Sequence, residues 1–333
     1  MFKCLNKSTG REVVILDPEW TAEAAIGNLR EAGRLDQLAC QGCRQPVRIR
    51  AGEERRPHFA HKHLSDECVY EDESSDLRNT RAVLYEWLVS KYGDAVTIEK
   101  KLDDEGLLRP VDCWVEKGSK IFAYWIFASG MKPEDRDWLK HVSFAHEENV
   151  NWVFTSGMMK IDTENPRRLS LTTTERDFMK PSAYDDELEG KSYDADVKQS
   201  LHYLNADSRT LTTYRNLLPF HKPHVYAGDK RTSSLSELMI SPANGEFVHP
   251  SEHELLLEHR KKASALDARR KEMEARRHEQ HMNPSQEPVH PVQVPNAKAG
   301  TCIHCGKRTT DHWYYDGATG ECECNDCKAS SKT

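Results

Sequence analysis

Val96-Thr97-Ile98-Glu99-Lys100-Lys101-Leu102, Pro110-Val111-Asp112-Cys113-Trp114-Val115 and Ile121-Phe122-Ala123-Tyr124-Trp125-Ile126-Phe127-Ala128-Ser129 read as three consecutive strands. Each is rich in β-branched and aromatic residues, and Asp103-Asp104-Glu105-Gly106 and Lys117-Gly118-Ser119 supply the turns between them. A helix precedes them. Ser74 or Ser75 can cap it, Leu77, Leu84 and Leu88 recur at helical spacing, and Gly93 can end it. A polar helix over Glu134 to His141 and a strand through Trp152-Val153-Phe154 follow. The order is helix, three strands, helix, strand, which predicts an α/β core over 73–160.

Outside that core the chain changes character. The N-terminal stretch, 1–72, opens with a strand at Glu12-Val13-Val14-Ile15-Leu16 and a helix from Thr21 to Ala32, then runs into a Cys/His-rich patch from Cys40 to Cys68. In 161–250, an α+β extension, Leu201–Leu204 and Thr210–Tyr214 flank Asn205-Ala206-Asp207-Ser208 as a hairpin would. Residues 251–300 hold a charged helix over 252–281 and a linker with four prolines between Asn283 and Gly300. Residues 301–333 form a cysteine-rich end. The expected class is α+β, with the α/β core flanked by two small zinc modules and a charged helix.

Composition limits the functional classes. Charged residues make up 30% of the 333 and hydrophobic ones 37%, with a mean hydropathy of -0.77. No run approaches the roughly 18 apolar residues of a membrane span, and the start of the chain does not lead into a signal-peptide stretch. A cytoplasmic location without membrane contact is expected. The net charge of -7 gives no global pull toward nucleic acid, so such contact must use local basic patches. Of ten cysteines, five lie in the last tenth of the chain. In a reducing compartment, paired spacings of this kind point to metal, not disulfides.

The strongest motif is Cys302-x2-Cys305, eighteen residues, then Cys324-x2-Cys327. Each pair supplies two thiolates from a tight turn, and four make the tetrahedral set that zinc prefers. Cys322 is left over, because using it would break the second pair. With Gly306, Thr309, Trp313, Gly320 and Asn325, this stretch resembles GATA-type and treble-clef zinc fingers. It departs from the GATA pattern after Cys327, where only Lys328 and Lys332 remain of a basic arm. Zinc ribbons also hold proteins together, so a protein partner through this ribbon or the charged helix is open beside DNA.

A second set starts at Cys40-Gln41-Gly42-Cys43 and continues through His58-Phe59-Ala60-His61-Lys62-His63 to Cys68. Cys40 and Cys43 give two ligands. His58 and His61 are expected to give the others, with Cys68 the rival for the fourth place. Arg44, Arg48, Arg50, Arg55 and Arg56 lie between the two halves and could meet phosphates. The plain alternative is a solvated face.

The pattern of CQGC, PHFAHK, a cysteine and the helix from Glu73 resembles the competence protein CoiA-like family. The likeness continues through Arg109-Pro110-Val111-Asp112, the Ser129 to Arg136 stretch and the Trp152 strand, over about residues 38 to 156. That resemblance implies a Cys/His zinc module before a restriction-endonuclease-like nuclease core. Such a core holds Mg²⁺ on an acidic residue of the second strand and a Glu-x-Lys or Glu-x-Gln of the third. Asp112 stands in the first place. The third strand reads Trp125-Ile126-Phe127-Ala128-Ser129, and only the serine matches. Glu99 and Lys101 on the first strand, with Glu73 from the helix, are the residues that would replace the lost ligands, although Glu99 also reads as an ordinary exposed strand residue. The expectation is a zinc-containing, DNA-binding, nuclease-like protein with a degenerate catalytic motif, acting in DNA uptake, processing or defence. Two zinc ions are expected, and Mg²⁺ only if the core is active. An active Mg²⁺-dependent endonuclease and a protein-interaction adaptor are the alternatives.

Overall fold

The computed structural model describes residues 1–20, 22–52, 56–63, 68–70, 73–102, 109–144, 149–181, 199–282, 299–310, 312–315, 319, 321–324 and 326–327. The chain folds as two compact units, Met1–Ala265 and Leu266–Thr333.

The first unit opens with a strand that the sequence pattern does not signal. β1 (Lys3–Asn6) pairs antiparallel with β2 (Arg11–Val14) and with β3 (Leu38–Ala39). Met1, Phe2 and Cys4 are buried, so the start of the chain is core. Helix α1 (Glu23–Arg34) buries Ile26 and Leu29. Next comes the hairpin of β4 (Val47–Arg50) and β5 (His58–His61), in the register Val47 to His61 and Arg50 to His58.

Helix α2 (Ser75–Tyr92) starts and stops where the sequence signals it. The Ser74 hydroxyl accepts from Leu77 N at 3.1 Å, and Gly93 leaves the helix at φ 58°. The three expected strands follow as β6 (Val96–Lys100), β7 (Val111–Lys117) and β8 (Lys120–Phe127), antiparallel to one another. Helix α3 (Pro133–Phe144) crosses over to β9 (Val150–Thr155), which pairs parallel with β8.

The sheet does not end there. β10 (Arg168–Ser170), α4 (Thr173–Asp177), β11 (Lys180–Pro181), β12 (Gln199–Asn205), β13 (Thr210–Pro219) and β14 (Val225–Ser234) continue the chain. β12 docks parallel on β9, and the strand order becomes β10-β14-β13-β12-β9-β8-β7-β6, with β11 on β12. One nine-stranded mixed sheet therefore runs through both the 73–160 and the 161–250 stretches. β15 (Met239–Ile240) and β16 (Phe247–Val248) form a small hairpin before α5 (Pro250–Met282). Glu252 and Leu256 are buried in α5, whereas from Leu257 to Arg277 nearly every side chain is exposed.

Two apolar clusters cover the two faces of the sheet. Leu84 and Leu88 of α2 pack with Ile98, Cys113, Val115, Phe122, Tyr124 and Ile126. On the other face Leu139 of α3 joins Trp114, Trp125, Phe127, Trp152 and Phe154. The fold is thus mixed α/β around a large sheet. No described helix is long and apolar enough to cross a membrane.

The second unit carries β17 (Gly300–Cys302), β18 (Arg308–Thr309), β19 (His312–Tyr315) and β20 (Glu321–Cys324), in the order β18-β17-β20-β19.

Candidate metal centres and a buried carboxylate cluster

Cys40 leaves β3 and the chain turns back at once. Cys40 N donates to Gln45 O at 2.9 Å, Gly42 N points to Cys40 Sγ at 3.3 Å, and Arg44 takes φ 62°. The turn brings Cys43 Sγ to 3.2 Å from His61 Nε2 on β5, and Cys40 Sγ to 3.6 Å from Cys68 Sγ. One ligand atom from each of Cys40, Cys43, His61 and Cys68 lies within 4.8 Å of the other three. His58 is not among them. His58 and His61 are three apart on one strand, where side chains alternate with period two, so they leave opposite faces. The His58 Nδ1 instead sits 2.9 Å from Arg56 O. The structure therefore puts Cys68, not His58, in the fourth place. Burial pushes the Cys40 and Cys68 thiols up, and a dication offsets the cost of ionising them together. A Cys3His set could hold a zinc ion.

The second centre follows its spacing. Gly306 N donates to Cys302 O at 2.8 Å and Gly306 takes φ 70°, closing the first turn. The parallel pairing of β17 with β20 sets Cys302 opposite Cys322, two residues before Cys324 on the same strand. Cys324 N lies 3.5 Å from Cys302 Sγ, and Cys305 Sγ lies 3.8 Å from Cys324 Sγ. Backbone N–H groups of Cys324, Cys305 and His304 bring the Cys302 thiol down to about 6. Cys302, Cys305, Cys324 and Cys327 make the group, and Cys322 stays outside it.

The carboxylates of the core do meet, but around a cation that no sequence motif singles out. Arg81 of α2 is 3% exposed. Its guanidinium reaches Glu73 at 2.5 Å, Glu99 at 2.8 Å and Asp112 at 2.7 Å. The remaining oxygens are also satisfied. Glu99 accepts from Phe2 N at 2.8 Å and Lys3 N at 3.0 Å, Asp112 accepts from Ile126 N at 2.7 Å, and Glu73 accepts from the Met1 ammonium at 3.0 Å. Burial alone would raise the Glu73 carboxyl, yet Arg81 and the Met1 ammonium bring it down to about 2. The exposed-strand reading of Glu99 is wrong, because the residue is 0% exposed at φ 49°. Lys101 stands apart, lining a cleft beside the first metal group.

Trp125 and Phe127 belong to the apolar cluster on the face away from α2, with Trp152 and Phe178. Phe127 stacks on Phe178 at 4.8 Å between centroids. Arg109 bridges the two environments. It lies over the Trp125 and Phe127 rings at 5.2 and 5.5 Å and 3.4 Å from Asp112 Oδ2. The signal for Arg81 is present in the sequence. It falls on the same helical stripe as Leu77, Leu84 and Leu88, where a cation needs a buried partner.

The basic residues divide. Arg44, Arg48 and Arg50 are exposed, the last two on one face of β4. Arg56 is paired with Glu86 and so is already engaged. Arg55 lies outside the described residues.

Residues 21–71 match the family model described as the competence protein CoiA N-terminal domain. The match takes in the CxxC turn, His58, His61 and Cys68, and the chain carries a CoiA-like N-terminal module with a Cys/His group suited to zinc. It ends before α2. No curated protein and no solved structure matches the chain.

Proposed function

We propose that this CoiA-like, competence-related chain is a zinc-containing nucleic-acid-binding protein whose nuclease-like core does not cut, acting in DNA uptake, processing or defence. The carrying observation is Arg81. Metal-dependent phosphodiester cleavage needs at least two carboxylates converging on a divalent ion, with room for water. Here Glu73, Glu99 and Asp112 converge on a buried guanidinium instead. A Mg²⁺ ion would have to displace a fixed cation and break hydrogen bonds to backbone N–H groups. Trp125 and Phe127, at the positions where the third strand would supply ligands, are packed into the opposite core.

The exposed Arg44, Arg48 and Arg50 are the residues proposed to meet phosphates, and both Cys/His groups are proposed to hold zinc. The purified protein with Mg²⁺ or Mn²⁺ should cleave neither single- nor double-stranded DNA. It should shift labelled DNA with an affinity that falls steeply with salt, and charge reversal of Arg48 and Arg50 should flatten that dependence. Metal-dependent cutting lost in Asp112→Ala and in Glu99→Ala would instead establish the endonuclease reading. Binding indifferent to salt would favour a protein adaptor.

A further inference from the structure

Helix α5 runs unbroken over 33 residues. Its start is held in the core, where Glu252 pairs with Arg215 at 3.0 Å and Leu256 packs with Val248. From Leu257 to Arg277 nearly every side chain is open to solvent. Leu266 is 66% exposed and Met273 is 60% exposed. They stand one heptad apart, so they lie on one stripe of the helix. With both at position d, His259 is the preceding d, and Ala263, Arg270 and Arg277 fall at a. The flanking positions then sort by sign. The g residues are Lys262, Arg269 and Arg276, all basic, and the e residues that follow Arg260 are Asp267 and Glu274. Asp267 pairs along its own helix with Arg270 at 2.8 Å and Lys271 at 3.0 Å, and Glu274 lies 4.0 Å from Arg270. Exposed pairs of this kind contribute little, so they give way readily to better-placed partners.

The pattern is complementary to itself in one orientation. In a parallel pair of helices, a g residue faces the e residue of the next heptad on the partner. Lys262 then meets Asp267 of a second copy, Arg269 meets Glu274, and two-fold symmetry repeats both pairs across the seam. An antiparallel pair would set g against g and e against e, so like charges would meet. An acidic peptide or a nucleic-acid strand would be drawn to the basic g row but repelled by Asp267 and Glu274 on the other flank. We infer that α5 is a dimerisation helix, in which two copies of this chain pair in parallel and in register along His259 to Arg277 and cover Leu266 and Met273. Arg270 and Arg277 at a lower the stability of the pair, although their long stems let the guanidinium groups reach water. The seam is short as well as partly polar, so the dimer forms and dissociates with concentration.

Sedimentation equilibrium of the full chain with zinc, from low to high micromolar concentration and at low salt, tests this. The wild-type mass should rise from 38.2 kDa toward twice that value. The double variant Asp267→Lys with Glu274→Lys places basic residues on both flanks, and Lys262→Glu with Arg269→Glu places acidic residues on both. Each variant alone should stay at the monomer mass. An equimolar mixture of the two should dimerise, because opposite signs again meet on both sides of the seam, and that rescue also shows that both variants are folded. A wild type that remains monomeric throughout would overturn the proposal. If that monomer bound a polyglutamate peptide or a labelled DNA duplex, and Lys262→Glu with Arg269→Glu abolished the binding, the face would belong to an acidic partner or to nucleic acid instead. A wild-type dimer that both double variants retain would place the interface elsewhere and overturn the pairing of α5. A mixture that stays monomeric would overturn the matching of Lys262 with Asp267 and of Arg269 with Glu274.

Discussion

Arg81 shows how one residue can change the meaning of three others. Glu73, Glu99 and Asp112 are legible from sequence as acids at the start of the helix and on the first two strands, and by themselves they suggest a metal site. The cation that gathers them is 18 residues before Glu99 and 31 before Asp112 in the chain, a pairing that no local pattern reveals. Removing one partner from such a buried network leaves uncompensated charge. Arg81→Met should therefore destabilise the protein by about 3–5 kcal/mol in urea unfolding. An effect below about 1 kcal/mol would mean that the network is hydrated and that Arg81 does not hold the carboxylates. Gly245 is a second such point. It takes φ 78°, a Cβ there would lie 2.7 Å from Phe122 Cγ, and its carbonyl accepts from Tyr124 OH at 2.7 Å. Gly245→Ala should lower the urea midpoint, because both backbone strain and a core clash oppose it. At the first metal group the ligand types were legible but the choice between His58 and Cys68 was not. It depends on the strand period of β5, which four residues of HFAH do not disclose.

Elements were readable where one face met water. Helix α2 announced its cap, its stripe and its end. Ser74→Ala should cost about 1 kcal/mol, read from the same unfolding curves, by losing the bond to Leu77 N. The 161–250 stretch was opaque because its strands are covered differently. β12 is buried at five successive positions, and β14 is half-buried with no alternation, so neither shows the period-two signature. Its core is also polar. Arg215 is 1% exposed between Glu246 and Glu252, and His249 and His202 contact Thr213 Oγ1 at 2.8 and 3.0 Å. Burial, with the Arg215 cation next in weight, lowers His202 to about 3. Burial also lowers His249 to about 4, against the pull of Glu252. The unfolded chain takes up these protons near the ordinary value of 6.5, whereas the folded chain holds off until about 4 and 3. More protons are thus bound to the unfolded state in that window, and stability falls as pH falls below about 6.5. The loss is at most about 1.4 kcal/mol per pH unit for each histidine. Urea midpoints taken from pH 7 to pH 5 should decline, and His249→Gln should decline less. Equal slopes would show that His249 is protonated in the fold.

At the scale of the molecule, the two units are stabilised by different physics. The first has apolar clusters on both faces of a nine-stranded sheet, so the Cys40 group is an addition to a core that already exists. Among the described residues of the second, the buried cluster consists of Cys302, Cys322 and Cys324 with Cys327 packed against it. Three of those four cysteines belong to the candidate metal group. A small module of that kind gains its folding energy from the metal, on the order of 10–16 kcal/mol of apparent binding at neutral pH for structural zinc. The cysteine spacing made this unit readable from sequence, because CxxC pairs need no tertiary context. Metal analysis should accordingly find two zinc ions per chain. Cys302→Ser should remove one and leave the other, since each group draws all its ligands from one unit. A chelator should expose residues 299–327 to proteolysis at concentrations that leave the central sheet resistant. A single zinc in the wild type that persists in Cys302→Ser would mean that the C-terminal cysteines hold no metal. If stripping metal melted both units together, the first core would not be self-sufficient, and the packing of the sheet would have to depend on the Cys40 group.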